Sequence, residues 1–465
     1  MKRVNLQVIY MKKFTSKQRH IKRQYSRKIR ELPMEVSGHI VQSKYGWKTL
    51  CIHGSPYDRG FAHGFLLYEE LARTYRSYPF LVEQKVRSTT YLKYIKACNK
   101  YIKPIVLNSF PEIYEELEGI VAGANVRGIP ITIDFLLAWN SHASLQSYFD
   151  VEPHKRDNKC SAFIATGSST EDGQIVMGHT THTNFIEAQL YNIIMFMIPE
   201  KGHPFVMQTA AGLVASVTDW FLCSTGIIGC ETTIVDINYQ PKFGAPFFCR
   251  IRKAMQYGKS LDEYVEIMTD NNAGDYACSW MFGDINTNEI MLCEIGLEKM
   301  NVQKTNNGIY YGMNTALDFE LRTQETNDIR WNQSDDSSAA RSKRFNELLY
   351  DKYFGKITVD NAKIILSDHY DTFLHKDIPN KRSICVHSEN DGESKKYPYF
   401  MHGCTDCKVV NAKMAKDLEF IGRFGSSCGR KFSIKQHVKK HPQYKSWEPY
   451  VEDFKRYPWT TISFK

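Results

Sequence analysis

The stretch that decides the fold is Lys159-Cys160-Ser161-Ala162-Phe163-Ile164-Ala165, in which a cysteine heads an apolar run of strand-forming residues. The preceding residues, 150–159, are polar and charged, so the thiol lies where an exposed loop becomes a buried strand. A nucleophile at such a junction would be held by the strand and reached from the loop. The alternative interpretation is a small hydrophobic residue at a strand start, as most free cysteines are. The local sequence leaves both interpretations open.

The chain divides at this stretch into a helical first third and a strand-rich remainder. Apolar residues recur at helical spacing before Cys160, and short apolar runs bounded by Gly, Asn or Asp recur after it. This order predicts an α+β protein built on packed, mainly antiparallel sheets. Strands are predicted at 39–53 (a pair around a turn), 160–165, 174–178, 191–198, 204–209, 214–218, 226–237, 279–284, 290–295, 308–313 and 383–387. Helices are predicted at 61–78, 89–108, 111–127, 247–268, 338–353 and 359–368.

Positive charge is concentrated at the N-terminus. Residues 1–30 hold eleven Lys and Arg and no acidic residue, whereas the whole chain of 465 residues has a formal net charge of +9. Any attraction to nucleic acid or an anionic surface would therefore reside in this basic tail, residues 1–35, and not in the nearly neutral body. We expect the tail to be a disordered extension, with a targeting or anionic-surface role as the alternative. No secretory signal and no transmembrane segment is evident, so a soluble, cytoplasmic protein is expected.

Twelve cysteines are scattered along the chain, which predicts reduced thiols in a reducing compartment. Cys404-Thr405-Asp406-Cys407 has half of a zinc-site spacing, but no second pair completes it, so a loop with incidental cysteines is favoured. For Asp368-His369-Tyr370-Asp371, a packing motif at a helix end is favoured over a metal or acid-base cluster. We therefore expect no metal and no cofactor.

A series of short motifs, each weak alone, occurs in an order that is specific in combination. They are Gly54-Ser55-Pro56-Tyr57-Asp58-Arg59-Gly60 with His63-Gly64, Cys160-Ser161-Ala162-Phe163, Asp172-Gly173, Gly178-His179-Thr180-Thr181, Gly212-Leu213, Glu231-Thr232-Thr233, Gly312-Met313-Asn314, Ala340-Arg341 with Arg344, Asp368-His369-Tyr370-Asp371, and Arg423-Phe424-Gly425-Ser426-Ser427-Cys428-Gly429. With them, the sequence resembles the phospholipase B-like proteins and the related penicillin acyltransferase-type cysteine peptidases, within the N-terminal-nucleophile hydrolases. The motifs leave only the basic tail uncovered.

The resemblance implies a four-layer αββα fold, with two stacked sheets covered by helices. It also implies a precursor that cuts its own chain between Lys159 and Cys160. Residues 36–159 would form an α-rich fragment that stays bound, and residues 160–465 would form the catalytic segment, with the nucleophile as its first residue.

The chemistry of a free N-terminal cysteine agrees with this implication. An unperturbed thiol with a pKa of ~8.5 is only a few per cent ionised at neutral pH, so it needs a base. The freed α-amino group of Cys160, with a reference pKa of ~7.7 to 8.0, would serve as that base. Before the cut, the same nitrogen is an amide and cannot accept the proton.

The resemblance also assigns the remaining site residues. Asn314 matches the family's oxyanion donor, with an asparagine in a turn as the alternative. Arg341 matches the family's active-site arginine. It lies at a predicted helix start, for which Ser337-Ser338 are the expected cap residues. Arg344 is expected to be the surface residue of the two arginines. His179 matches a family histidine that orients groups near the nucleophile or polarises the scissile bond, with a satisfied core histidine as the alternative. Four further residues are expected to bind substrate or support the site: Thr181, His182, Glu231 and Thr232. His182 departs from the tryptophan common in phospholipase B-like members, which puts the substrate's shape in doubt.

The sequence therefore predicts a self-processing hydrolase of acyl esters or linear amides that works through a thioester at Cys160. Water or an amine would accept the acyl group, so amidase, acyltransferase and lipid-degrading activities all remain open. The substrate would be a small acyl compound: a lipid ester, an N-acyl amide or a peptide. A catalytically silent binding or structural protein with a basic tail for anionic surfaces is the alternative. A conventional Cys/His hydrolase without chain cleavage is the least favoured interpretation.

Overall fold

Two β-sheets lie at the centre of the molecule. The computed structural model describes residues 35–85, 89–149, 160–216, 218–391 and 401–464, and Val36–Lys465 belongs to one compact unit. The predicted cleavage residue Lys159 and the basic tail up to residue 34 lie outside the described residues.

Seventeen strands occur within the described residues. They are β1 (Gly38–Lys44), β2 (Trp47–Gly54), β3 (Cys160–Thr166), β4 (Val176–Asn184), β5 (Ile193–Pro199), β6 (Phe205–Thr209), β7 (Trp220–Cys223), β8 (Ile227–Thr233), β9 (Cys278–Asp284), β10 (Glu289–Ile295), β11 (Met300–Thr305), β12 (Gly308–Gly312), β13 (Tyr370–Asp371), β14 (Lys376–Asp377), β15 (His402–Asn411), β16 (Phe420–Phe424) and β17 (Thr460–Ile462). The larger sheet has the order β1-β2-β5-β6-β7-β8-β9-β10-β11, and the smaller sheet has the order β12-β3-β4-β15-β16-β17. Every pairing in the two sheets is antiparallel except β2 with β5.

Helices surround the sheets. They are α1 (Pro56–Leu66), α2 (Tyr68–Lys85), α3 (Tyr91–Ala97), α4 (Lys103–Ser109), α5 (Pro111–Val126), α6 (Ile133–Asn140), α7 (His142–Phe149), α8 (Phe185–Ala188), α9 (Phe247–Tyr257), α10 (Leu261–Thr269), α11 (Phe319–Glu325), α12 (Ser337–Asn346), α13 (Val359–Leu366), α14 (Ala412–Lys416) and α15 (Ile434–Lys440). Single π-helical turns connect α3 to α4, at Cys98–Ile102, and extend α12, at Glu347–Lys352.

Three hydrophobic cores separate four layers. One lies between the sheets and combines Ile164 and Met177 of the smaller sheet with Ile194, Val206 and Ile228 of the larger. A second packs helices α1 to α7, α9 and α10 on the larger sheet, and a third packs α12 and α13 on the smaller sheet. Strands covered on both faces lose the alternation of apolar and polar residues, and every residue of β3 and β4 is buried. The predicted α+β fold with two stacked, mainly antiparallel sheets is thus confirmed.

Glycines let α1 and α5 pack backbone against backbone. A Cβ atom on Gly60 or Gly64 would lie 2.1 Å from the carbonyl oxygen of Glu116 or Ile120, and α5 has Gly119 and Gly123 facing α1 in the same way. The spacing of Gly60 and Gly64 predicts a close approach of this helix to another element, and the structure confirms it.

Four predicted elements are wrong, two strands that do not form and two helices whose bounds differ. The segment 214–218 forms no strand in its described residues, since the backbone of Val214 pairs with the Asn140 and Arg252 side chains. The segment 383–387 is not a strand either, because the Ser383 hydroxyl bonds the nearby carbonyls of a turn. The helix predicted at 247–268 is two helices, separated at Gly258, where a Cβ atom would lie 2.6 Å from the Tyr264 ring. Likewise, the helix predicted at 61–78 starts earlier and breaks between α1 and α2.

Cys404-Thr405-Asp406-Cys407 is a buried part of β15, not a loop. Its polar side chains hide the strand pattern, and a register shift between Cys404 and Asp406 interrupts the pairing with β4. The cap of α12 also differs from the prediction, because Asp336, not a serine, accepts the hydrogen bond from the Ser338 N–H.

Replacing Gly64 by alanine tests the contact between α1 and α5. Alanine favours an isolated helix over glycine by about 1 kcal/mol, but here its methyl group would force the two backbones apart. We expect the free energy of unfolding, measured by denaturant titration, to fall by about 1 to 3 kcal/mol, as in overpacked cores. Gly308→Ala is the control, because only the Thr305 side chain lies near that position. A variant at Gly64 as stable as the parent would contradict the close packing.

Candidate active site

Cys160 opens onto a cavity between the helical layer and the sheets. The cavity has a volume of about 60 Å³, several times the ~10 to 15 Å³ that one water molecule needs. Its lining combines acidic, aromatic and hydroxyl side chains around the thiol: Trp139, Asn140, His142, Ala143, Cys160, Thr181, His182, Thr183, Glu187, Tyr191, Leu213, Asp219, Glu231, Thr233, Phe247 and Tyr276. Four of the residues predicted from the sequence are therefore brought together here: Cys160, Thr181, His182 and Glu231.

The main chain of Cys160 is held at both ends by buried side chains. Its N–H donates to Oδ1 of Asn314 at 3.2 Å, and its carbonyl accepts from Nη1 of Arg341 at 2.6 Å. Asn314 lies two residues beyond the end of β12, which pairs with β3, and adopts a positive φ of 80°. Such a φ is unusual for a residue with a Cβ, and backbone strain of this kind concentrates at functional sites.

Arg341 links Cys160 to its surroundings. Nη1 also donates to the Ser161 hydroxyl at 3.0 Å, while Nη2 donates to the Met313 carbonyl at 2.8 Å and to Asn314 Oδ1 at 3.0 Å. Burial lowers the pKa of this guanidinium to about 10, which leaves it charged at neutral pH. Arg341 thus contacts the main chain of Cys160 and lies behind it, not in the cavity lining.

The hydrogen bonds of the Asn314 side chain differ from those expected of a simple oxyanion donor. Its Oδ1 accepts from both Cys160 N–H and Arg341, and its Nδ2 donates to the Thr233 carbonyl at 2.9 Å. The oxyanion role predicted from the sequence would use the same Nδ2 atom. The contacts observed here position the nitrogen of Cys160.

The Cys160 thiol is protonated in the intact chain. Burial raises its pKa well above the ordinary value, and the nearby carboxylates of Glu231 and Asp219 raise it further. Lys408 and the main chain of His182 act in the opposite direction without offsetting the rise. Formation of a thiolate in this environment requires a base close to the sulfur.

The two histidines of β4 are buried and neutral. Burial lowers the pKa of both far below the usual range, helped by Lys408 at His179 and by Arg341 at His182. His179 donates from Nε2 to the Glu231 carbonyl at 3.0 Å and lies behind the cavity wall. Neither ring nitrogen of His182 has a hydrogen-bond partner among the described residues. His182 therefore presents an unsatisfied imidazole to the cavity, although its low pKa makes it a weak base.

Glu231, Thr232 and Thr181 have different surroundings. Glu231 accepts from the Tyr276 hydroxyl at 2.9 Å inside the cavity. Thr232 does not line it, and packs instead against Gly312, where a Cβ atom would lie 2.2 Å from the threonine hydroxyl. Thr181, paired with Cys160 across β3 and β4, donates to Asp406 at 2.9 Å.

Several residues of the site were not predicted from the sequence. Ser161, Asp219 and Tyr276 carry no local signal. Asp406 and Lys408 do carry a local signal in the sequence. Residues two apart on a strand lie on the same face of the sheet, so these opposite charges are neighbours. Arg344 is the more exposed of the two arginines, as expected, but it is half-buried and forms a two-point ion pair with Asp368 at 2.7 and 2.9 Å.

A buried ion pair between Asp406 and Lys408 contacts the Thr181 hydroxyl. Nζ of Lys408 lies 2.5 Å from Oδ1 of Asp406 and 3.0 Å from the Thr181 hydroxyl, and Gln208 donates to the other carboxylate oxygen at 2.9 Å. Both charged side chains are almost completely buried. Because neither charge can reach water, the stability of each buried charge depends on its partner.

Replacing Asp406 by asparagine leaves the Lys408 charge buried without its counter-ion. We expect the free energy of unfolding to fall by about 3 to 5 kcal/mol, and the double variant Asp406→Asn with Lys408→Met to recover most of the loss. The control is Glu298→Gln, which removes an exposed partner of Lys242 and should change stability by less than about 0.5 kcal/mol. Equal effects of the buried and exposed replacements would contradict the structural role of the pair.

The fold and the site define an α+β protein of two stacked sheets with a cysteine-centred cavity at the start of β3. No family model matches the chain. It is 23% identical over 256 residues to an uncharacterized protein of Archaeoglobus fulgidus, a match that covers 51% of this chain and 41% of that protein. The chain thus matches less than half the length of that relative.

Among solved structures, one that is similar to this chain is the crystal structure of an arginine-to-leucine variant of conjugated bile acid hydrolase from Clostridium perfringens. The two are 12% identical, with a TM-score of 0.28, over 58% of this chain and 83% of that one. In the described part of the chain, no helix is both long and apolar enough to cross a membrane.

Proposed function

We propose that the chain is a self-processing N-terminal-cysteine hydrolase that cleaves an acyl ester or a linear amide through a thioester at Cys160. One observation carries the proposal: the nitrogen and the carbonyl of Cys160 are both held by buried side chains, while its thiol faces a cavity. A structural cysteine at the start of a strand needs no such support. The resemblance to phospholipase B-like proteins points to the same chemistry.

In the first stage, the Cys160 thiol attacks the carbonyl carbon of Lys159. The carbon–nitrogen bond breaks, the nitrogen takes the proton, and a thioester joins Lys159 to the cysteine sulfur. Water hydrolyses this thioester, which leaves a carboxylate on Lys159 and a free α-amine and thiol on Cys160. The cut converts an amide nitrogen, which cannot accept a proton, into an amine that can.

In the second stage, the α-amine takes the thiol proton and the thiolate attacks the acyl carbonyl of the substrate. The departing alcohol or amine takes a proton from the α-ammonium group, and water then hydrolyses the acyl-enzyme thioester. Asn314 would hold the amine close to the sulfur. The low pKa values of His179 and His182 favour the α-amine, because neutral histidines with depressed basicity are poor partners for a thiol of raised pKa.

The cavity supports a substrate with a small acyl portion. Its volume suits a short acyl group, and its lining offers apolar surface beside carboxylate and hydroxyl groups. His182, which has no hydrogen-bond partner among the described residues, would bond the carbonyl or the leaving group of the substrate. Parallel assays of a short-chain ester, an N-acyl amide and a peptide, each with and without a thiol-reactive probe, would separate the substrate classes.

Intact mass under denaturing conditions tests the self-processing. We expect purified protein to separate into residues 1–159 and 160–465, and Cys160→Ala to stay full length and lack turnover. Cys293→Ala is the matched control, since that cysteine is also buried in a strand but does not line the cavity. A parent that stays uncut and inactive on prolonged incubation would contradict the proposal, and cleavage of Cys160→Ala would contradict the assigned nucleophile.

Replacing Asn314 by alanine tests the positioning of the amine. We expect kcat/KM to fall by about 10²- to 10³-fold, the loss typical of one preplaced hydrogen-bonding group in an active site. The pH at which activity rises should shift as well, because the amine loses the oxygen that fixes it. Asn346→Ala, on the exposed face of α12, should leave both values unchanged. A loss of activity with an unchanged pH profile would indicate an oxyanion role without positioning of the amine.

A further inference from the structure

Four side chains from three separate chain segments meet behind the smaller sheet. They form what we call the Cys/His cluster: His369, Cys385, His387 and Cys428. One nitrogen or sulfur atom from each lies within 4.8 Å of those from the other three. None of the four lines the cavity of Cys160, so the cluster is separate from the catalytic proposal.

His387 lies at the centre of the cluster. Its Nε2 atom is 3.3 Å from Cys385 Sγ and 3.4 Å from Cys428 Sγ. Its Nδ1 atom is 2.7 Å from a carboxylate oxygen of Glu389. The side chain thus faces two sulfur atoms with one nitrogen and a carboxylate with the other. Histidines that bind metals are usually fixed in this way, with the second nitrogen donating to a carboxylate.

His369 completes the cluster from another segment. Its ring centre is 5.1 Å from that of His387, and the two rings are inclined at 67°. Its Nε2 atom is buried and has no hydrogen-bond partner among the described residues. A buried polar atom without a partner is costly, and the cost disappears when the atom binds an ion.

Backbone hydrogen bonds hold two of the three segments in place, those of His369 and of Cys385 with His387. The Cys385 N–H donates to the Asp368 carbonyl at 3.1 Å, next to His369, and the His387 N–H donates to the Asn380 carbonyl at 2.9 Å. Asp368 is itself fixed by Arg344. The arrangement is therefore largely formed by the fold.

We propose that the Cys/His cluster is a structural Zn²⁺ site. Two thiolates and two imidazoles are a common ligand set of closed, four-coordinate zinc sites. Tetrahedral bonds of ~2.3 Å to sulfur and ~2.0 to 2.1 Å to nitrogen place neighbouring ligand atoms roughly 3.4 to 3.8 Å apart. The two sulfur–nitrogen distances at His387 already lie close to this range. On binding, the two thiols release their protons to solvent.

Two features favour zinc over other occupants. Soft sulfur ligands disfavour Mg²⁺ and Ca²⁺, which bind oxygen atoms. Cys404 contacts the Cys385 thiol, but it also accepts from the Ser427 N–H at 3.2 Å and contacts the Thr180 hydroxyl at 2.8 Å. Its sulfur is therefore occupied, and the remaining four ligands match a closed tetrahedral site.

The site would stabilise the wall behind the nucleophile. Ile384, next to Cys385, accepts a hydrogen bond from the Ser161 hydroxyl at 3.2 Å, and Ser161 in turn accepts from Arg341. A metal bound by Cys385 and His387 would fix this loop between β14 and β15. Its role is structural because all four positions are filled by protein, which leaves none for substrate.

Metal analysis of the full-length protein tests the proposal. We expect about one zinc per chain after purification and desalting by elemental analysis, and the same content in Cys160→Ala, because the cluster does not depend on the nucleophile. Replacement by Co²⁺ should give the visible absorption of a tetrahedral cobalt thiolate. A folded protein that contains no zinc and takes up neither Zn²⁺ nor Co²⁺ under reducing conditions would overturn the proposal.

Variants locate the site. Cys428→Ser and His369→Gln should each weaken zinc binding at least tenfold, whereas Cys51→Ser, a half-buried thiol on β2, should bind as the parent does. Addition of a strong chelator should lower the unfolding temperature of the parent and of Cys51→Ser. If Cys428→Ser does not fold, the zinc content and cobalt spectrum of the parent still decide. Zinc bound equally well by both cluster variants would place the metal elsewhere.

Thiol counting distinguishes the site from a disulfide. Under denaturing, non-reducing conditions with chelator, all twelve cysteines should react with an alkylating reagent, as expected for the twelve free thiols of the structure. Loss of two reactive thiols, with a Cys385–Cys428 peptide pair in the digest, would show a disulfide and overturn the proposal.

Discussion

The site depends on the guanidinium of Arg341, which is buried without a carboxylate partner among the residues that the structure describes. Removing a charged group from water costs several kcal/mol, and here oxygen atoms of the main chain and of polar side chains offset that cost. Arg341 thereby ties α12 to the end of β12 and to the start of β3. A lysine could not replace it, because one ammonium cannot reach the Cys160 and Met313 carbonyls in the fixed directions of a planar fork. Together with Asn314, this one side chain fixes the main chain of Cys160.

Electrostatics around the thiol then limit how it can react. Carboxylates and burial both raise the pKa of Cys160, and the neighbouring histidines are held neutral. The intact chain is therefore poorly suited to be a conventional Cys/His hydrolase. A base that appears only when the main chain is cut, at the nitrogen already held by Asn314, fits the same environment without any rearrangement of the sheets.

The sequence predicted the parts of the molecule that depend on local patterns. The apolar run from Cys160, the hairpin around Tyr45-Gly46 and the glycine spacing of α1 each carry their signal within a few residues, and the structure agrees with them. Several of the failures depend on contact between residues distant in sequence. Asp406 is acceptable in a buried strand only because Lys408, Thr181 and Gln208 surround it. A turn at Ser383, likewise, brings Cys385 and His387 to His369, which no spacing in the sequence reveals.

The strand order of the larger sheet explains how the two fragments of a cut chain would stay associated. β2 precedes the proposed cut and pairs with β5, which follows it, through seven residue positions from Lys48 with Ile193 to Gly54 with Pro199.

A buried cluster of charges also joins the two sides of the proposed cut. Glu116 binds Arg59 on its own side at 2.6 Å and Arg252 on the other side at 2.9 and 3.0 Å. The neighbouring arginines overcome the effect of burial and lower the pKa of Glu116 to about 2, so this carboxylate remains charged at any pH at which the protein would act. Separation of the fragments would expose an edge of the sheet and leave buried charges unpaired, which would cost far more than the chain break gains in entropy. The proposed cut would therefore change the chemistry of Cys160 while the packing around it is retained.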